Sequence, residues 1–95
     1  MIRVVIERHV AETLESAYED LSRHGLRIAV SAPGFISGET LTDLEDPNRR
    51  VTLCKWRSEA DWKRWQASEE RRSFMNDLMP LMDREERITV LKHSE

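Results

Sequence analysis

The run Pro33-Gly34-Phe35-Ile36-Ser37-Gly38-Glu39-Thr40-Leu41, then Asp46-Pro47-Asn48, then Arg50-Val51-Thr52-Leu53-Cys54-Lys55-Trp56, decides the fold. Phe35 to Leu44 and Arg50 to Trp56 read as two strands flanking a turn-rich loop. Glu45-Asp46-Pro47-Asn48 between them is turn chemistry: proline presets φ, and Asp or Asn bonds back to the local backbone. The two strands therefore form a hairpin. Gly38 inside the first of them marks a bulge or a close approach of another group. Directly after the hairpin, Ser58-Glu59-Ala60-Asp61 is a capping-box pattern that opens a helix carrying Trp62 and Trp65 one turn apart.

On the N-terminal side, Ile2, Val4 and Ile6 alternate with Arg3, Val5 and Glu7, a strand ending near His9. Thr13 is the expected N-cap of a helix on which Leu14, Ala17, Tyr18 and Leu21 share a face. Gly25 reads as its C-cap, with Leu26–Val30 as a second short helical piece stopped by Pro33-Gly34. On the C-terminal side, Ser68-Glu69-Glu70 restarts or bends the second helix. Phe74, Met75, Leu78 and Met79 form its apolar stripe until Pro80, which lacks a donor, ends or kinks it. Glu86 to His93 is the last strand.

The order β-α-β-β-α-β over residues 1–95 predicts one α+β domain of ferredoxin-like topology. Its four-stranded antiparallel sheet is expected in the order 4-1-3-2, with both helices on one face. Val4 with Val5, Leu53 with Cys54, and Val90 with Leu91 put apolar groups on both sheet faces. The helices can cover only one, so the bare face predicts a homodimer in which two sheets pack together.

Composition narrows the function classes. Charged residues make up 35% and hydrophobic ones 39%, a balance that supports one folded core rather than disorder. A net charge of −3 and pI near 5.6 argue against nucleic acid as a partner. Arg49-Arg50 and Arg71-Arg72 read as solvated surface charge. Cys54 is the only cysteine, so no disulfide forms within the chain, which suits a reducing compartment. No signal peptide is expected in Met1 to Val10, and no stretch approaches the roughly 20 apolar residues of a membrane span. A cytoplasmic protein with no membrane partner is expected.

The middle stretch resembles the antibiotic biosynthesis monooxygenase domain family. The resemblance is carried by Pro33 to Glu39, Asp46-Pro47, Trp56-Arg57-Ser58, Asp61-Trp62-Lys63-Arg64-Trp65 and Ser68-Glu69-Glu70-Arg71. It implies a dimeric α+β barrel. Some members of that family oxygenate anthrone-like or quinol-like aromatics without metal or flavin, others degrade haem, and many have no known activity. The haem-degrading members use a tryptophan, a histidine ten residues later and an asparagine in the first strand. Trp65 matches the tryptophan, but Met75 stands in place of the histidine and Glu7 or Arg8 in place of the asparagine. Haem binding is accordingly the last of the readings.

The chemistry-bearing residues are few. No Cys/His/Asp cluster has ligand spacing, so no metal is expected, and no Gly-rich phosphate loop is present, so no cofactor is expected. His9 and His93 are kept apart, with the first and last strands ending at opposite edges of the sheet. Cys54 reads as a small buried hydrophobe rather than a nucleophile. Cofactor-free oxygenation needs a phenol or anthrone carbon deprotonated to an electron-rich anion, then that anion held in a dry pocket. His9, Trp65 and Asn76 are the catalytic candidates. Arg8, Tyr18, His24, Trp56 and Trp62 are the candidates for binding a small aromatic ligand. For Trp56 and Trp65 two readings stand: core filling between sheet and helix, or the wall of a cleft for a flat ring. A cofactor-independent monooxygenase is the first expectation. A non-catalytic ligand-binding or regulatory module is the second.

Overall fold

The computed structural model describes residues 1–94. Four strands, β1 (Ile2–His9), β2 (Phe35–Thr42), β3 (Arg49–Trp56) and β4 (Arg87–Lys92), form one antiparallel sheet in the order β2-β3-β1-β4. This is the expected 4-1-3-2 order read from the other edge. Three helices join them: α1 (Glu15–Val30), α2 (Glu59–Gln66) and α3 (Glu69–Leu78), the last running into a 3₁₀ turn at Met79–Leu81.

Alternation along each strand sets the faces. Val4 pairs with Cys54 and Val90, Ile6 with Thr52 and Ile88, and Arg8 with Arg50. These residues point toward the helices, together with Trp56 and Val10. Two apolar clusters fill the space: Val4, Ile6, Cys54, Trp56 and Trp62, and beside it Val10, Tyr18, Phe74 and Leu78. Val5, Leu53, Thr89 and Leu91 face the other way, and Val5, Leu53 and Leu91 line a broad depression there that no helix covers among the described residues.

Local chemistry explains where elements begin and end. Ser58 caps α2: its hydroxyl accepts from the Asp61 N–H at 3.2 Å and donates to the Asp61 carboxylate at 2.9 Å. Ser68 caps α3 in the same way, accepting from Arg71 N–H at 3.1 Å, so the expected second helix is two helices. Asp46 closes the hairpin turn by accepting from Asn48 N–H at 3.1 Å. Gly34 (φ 87°) is a position where only glycine fits, because a Cβ there would enter the Asp61 carboxylate.

Several expectations are corrected. Thr13 has φ 75° and lies outside α1, whose N-cap position is Leu14 and lacks a side-chain cap. Gly25 is not a C-cap; it lies inside a continuous α1, where the Phe74 ring occupies the space a side chain would need. β2 stops at Thr42, leaving Leu44 exposed at the turn. β1 and β4 are neighbours, so antiparallel direction, not separate edges, holds His9 and His93 apart. Only one arginine of each pair is solvated: Arg50 and Arg71 are buried, while Arg49 and Arg72 are exposed.

Candidate functional site

A cleft of about 50 Å³, room for a few waters, lies between the helix face of the sheet and α1 and α3. Ile6, Arg8, Thr52 and Cys54 form its floor from the sheet. Ser22, Gly25 and Ala29 of α1 form one wall, and Trp65, Arg71 and Phe74 the other. Gly25 belongs here because its missing side chain lets the Phe74 ring close against α1.

Two cations stand at one end of this cleft. Arg8 is buried on β1 because the strand's alternation turns it toward the helices, and Arg71 is buried on the inner face of α3. Both reach one carboxylate: Arg8 Nε donates to Glu86 Oε2 at 2.9 Å, and Arg71 Nη2 to Glu86 Oε1 at 2.5 Å. Arg8 also donates to the Tyr18 hydroxyl at 3.4 Å and lies 5.8 Å above the Phe74 ring. Arg71 stacks 5.8 Å from the Trp62 ring. Two guanidiniums and one carboxylate leave one net positive charge in a partly desolvated place, where charge acts more strongly than in water. Burial opposes the charges of Arg8 and Glu86. Tyr18 and Glu86 outweigh it for Arg8, whose pKa is raised, and the two arginines outweigh it for Glu86, whose pKa is lowered.

The tryptophans divide by role. Trp56 is fully buried and meets Phe35 edge-on at 5.3 Å, Trp62 at 5.8 Å and Trp65 in a stack at 6.2 Å. Its indole N–H has no hydrogen-bond partner among the described residues, a cost of about 1–3 kcal/mol. Trp56 and Trp62 are core. Trp65 is half-buried and borders the cleft on one side and, on the other, a groove lined by Ile28, Ala32, Pro33 and Arg64.

Of the residues singled out from the sequence, the fold brings Arg8 and Trp65 to the cleft, with Tyr18 hydrogen-bonded behind Arg8. His9, next to Arg8 on a strand, points to the opposite face. There it clasps Asp46 of the hairpin turn and Asp83 ahead of β4, each at 2.9 Å. Its pKa is raised, chiefly by the Asp46 hydrogen bond. His24 on α1 and Asn76 on α3 are exposed and line neither the cleft nor the groove behind Trp65. Cys54 borders the cleft, but burial pushes its thiol up to about 11, so it is not a thiolate at neutral pH. Met75 is half-buried, its Sδ 4.0 Å from Arg8 Nη2.

Sequence reasoning missed Arg71 and Glu86. The available signal was helical spacing: Arg71 lies three residues before Phe74 and seven before Leu78, on the apolar stripe. Among the described residues no group of three or more His, Cys, Asp or Glu could hold a metal ion, and no helix is long and apolar enough to cross a membrane.

A family model described as antibiotic biosynthesis monooxygenase matches residues 1–77. The chain belongs to this family. Solved structures agree in fold. A crystal structure of an antibiotic biosynthesis monooxygenase superposes with a TM-score of 0.90 at 14% identity, covering 100% of both chains. A conserved protein from Methanosarcina mazei Go1 gives 0.91 at 20% identity, over 98% of this chain and 92% of that one. SnoaB, a cofactor-independent oxygenase from Streptomyces nogalater, gives 0.86 at 14% identity, over 99% and 94%. At such identities the likeness shows the fold alone. No curated protein matches the sequence.

Proposed function

We propose that the chain is a cofactor-independent monooxygenase that takes a small aromatic substrate, of the quinol or anthrone kind, into the sheet–helix cleft. The observation that carries this reading is the pairing of Arg8 and Arg71 with the rings of Trp65 and Phe74 around one cleft. An aromatic anion needs both parts: flat apolar walls for its rings, and fixed positive charge for its oxygen. Family membership and the shared fold with SnoaB support the same direction.

The chemistry balances with dioxygen alone. Loss of a proton from the anthrone carbon gives a carbanion stabilised as the phenolate-like enolate. It transfers one electron to dioxygen, the two radicals join as a peroxide, and loss of water leaves the carbonyl, so that R₂CH₂ + O₂ gives R₂C=O + H₂O. Cys54, with its pKa raised to about 11, is a poor base here, and His9 faces away. The role of the cleft in this reading is to favour the ionised substrate by holding its anion, which lowers the substrate's pKa.

Oxygen uptake with a panel of anthrones and quinols tests the proposal. Uptake above buffer is expected, and Trp65→Ala should lower it by about 10²-fold through lost positioning. No uptake above buffer, or equal turnover in the variant, contradicts the reading. An aromatic ligand that binds and is recovered unchanged favours the non-catalytic binding module.

The uncovered sheet face supports a homodimer. Val5, Val51 and Leu53 lie half-buried on it beside exposed Leu41 and Leu91, and Arg3, Lys55, Glu7 and Glu39 border them with both signs of charge. A second copy of the same face supplies apolar cover and opposite charges together. Light scattering at micromolar concentration should return twice the 11.2 kDa chain mass; a monomer there contradicts it.

A further inference from the structure

The cleft as it stands is too small for a fused ring system, and the residues at its charged end indicate how it opens. Arg71 is a wall of two spaces at once. It borders the cleft, and it borders an outer groove lined by Met75, Met79, Met82 and Glu86. Glu86 sits just ahead of β4, in the segment between Asp83 and Arg87. That segment is fixed at its start, where Asp83 N–H donates to the His9 carbonyl at 3.1 Å and the Asp83 carboxylate meets the His9 ring. Glu86 itself reaches inward by its side chain, one carboxylate oxygen on each arginine.

We propose that Glu86 is a displaceable internal anion, occupying between Arg8 and Arg71 the seat that the anionic oxygen group of a flat aromatic ligand takes on binding. Entry of the ligand swings the Glu86 carboxylate out toward the groove, exchanges one anion for another between the same two cations, and joins the two spaces. This rests on the cleft being the ligand site. The exchange keeps the buried charge count unchanged, which makes it cheap for an anionic ligand. A neutral ligand would leave two buried cations without their carboxylate, a large penalty. The site therefore selects aromatic carboxylates and phenolates over neutral analogues of the same shape.

Calorimetric titration of the full chain with 2-naphthoate and with neutral 2-naphthalenemethanol tests this. In the native protein naphthoate should bind tighter, and Glu86→Gln should tighten naphthoate on the order of tenfold by removing the competing carboxylate. Affinity for the alcohol should rise far less. A merely structural bridge gives the opposite result, with both ligands binding more weakly in the variant. Should Glu86→Gln fail to fold, hydrogen exchange of residues 83–87 in the native protein decides: naphthoate should speed exchange there and the alcohol should not. Equal affinity for the two ligands, binding of neither, or unchanged exchange overturns the proposal. Failure of the oxygenase reading is separate, since it shows as absent oxygen uptake with this binding pattern intact.

Discussion

Replacing Arg8 by glutamine is expected to lower kcat for oxygenation by about 10²–10³-fold, the usual cost of removing one fixed donor from a developing anion. Arg8 borders the cleft on the sheet side, where Tyr18 and Glu86 hold its charge against the cost of burial and the Phe74 ring lies 5.8 Å away. Glutamine keeps a hydrogen-bonding amide near the same place but no charge, so ring packing against Trp65 and Phe74 should survive. The loss should therefore fall mainly on kcat, with KM for the aromatic changing less. The pH profile supplies a second readout. If the guanidinium lowers the pKa of the bound substrate, the rise of rate with pH should move to higher pH in the variant. Arg8→Lys should restore part of the rate, because it returns the charge without the planar fork. An oxygen electrode and thermal melts of each variant measure this. A folded Arg8→Gln with native kcat would remove Arg8 from the chemistry.

The largest stability effect belongs to Trp56. Its side chain is completely buried where Phe35, Trp62 and Trp65 converge, so alanine there should cost about 3–5 kcal/mol. For a domain of this size that is a large share of the total, on the order of 5–15 kcal/mol. Trp56→Phe should cost far less than alanine, because the ring remains and the unpartnered indole N–H disappears. Urea denaturation, read as a shift in midpoint at constant slope, checks both. A Trp56→Ala protein within about 1 kcal/mol of the native one would contradict the account of this residue as the centre of the core.

The fold was legible because its signals are local. Alternation in Ile2 to Glu7, the Asp46-Pro47-Asn48 turn, and the serines at 58 and 68 each report backbone chemistry that acts within a few residues. Gly25 misled for the same reason: glycine near a helical run suggests an end, whereas here it is required by the Phe74 ring, 49 residues away in sequence. The lining of the cleft was half legible. Arg8 and Trp65 stand out in the sequence, and the fold places both at the cleft. His9 stands beside Arg8, yet neighbours on a strand point to opposite faces, and it clasps Asp46 and Asp83 instead. Arg71, one of a pair with Arg72, reads as surface charge. Its charge is matched inside the fold by a carboxylate 15 residues further along the chain, a pairing no local pattern announces.

Under the proposed function, an aromatic anion meets dioxygen in the cleft of Arg8, Arg71, Trp65 and Phe74. The stoichiometry of the reaction with anthrone tests it most directly. Purified protein, treated with a chelator, should consume one dioxygen for each anthraquinone formed, faster than buffer and without accumulating hydrogen peroxide. Anthrone recovered unchanged at the buffer rate, from protein that binds it, would contradict the account.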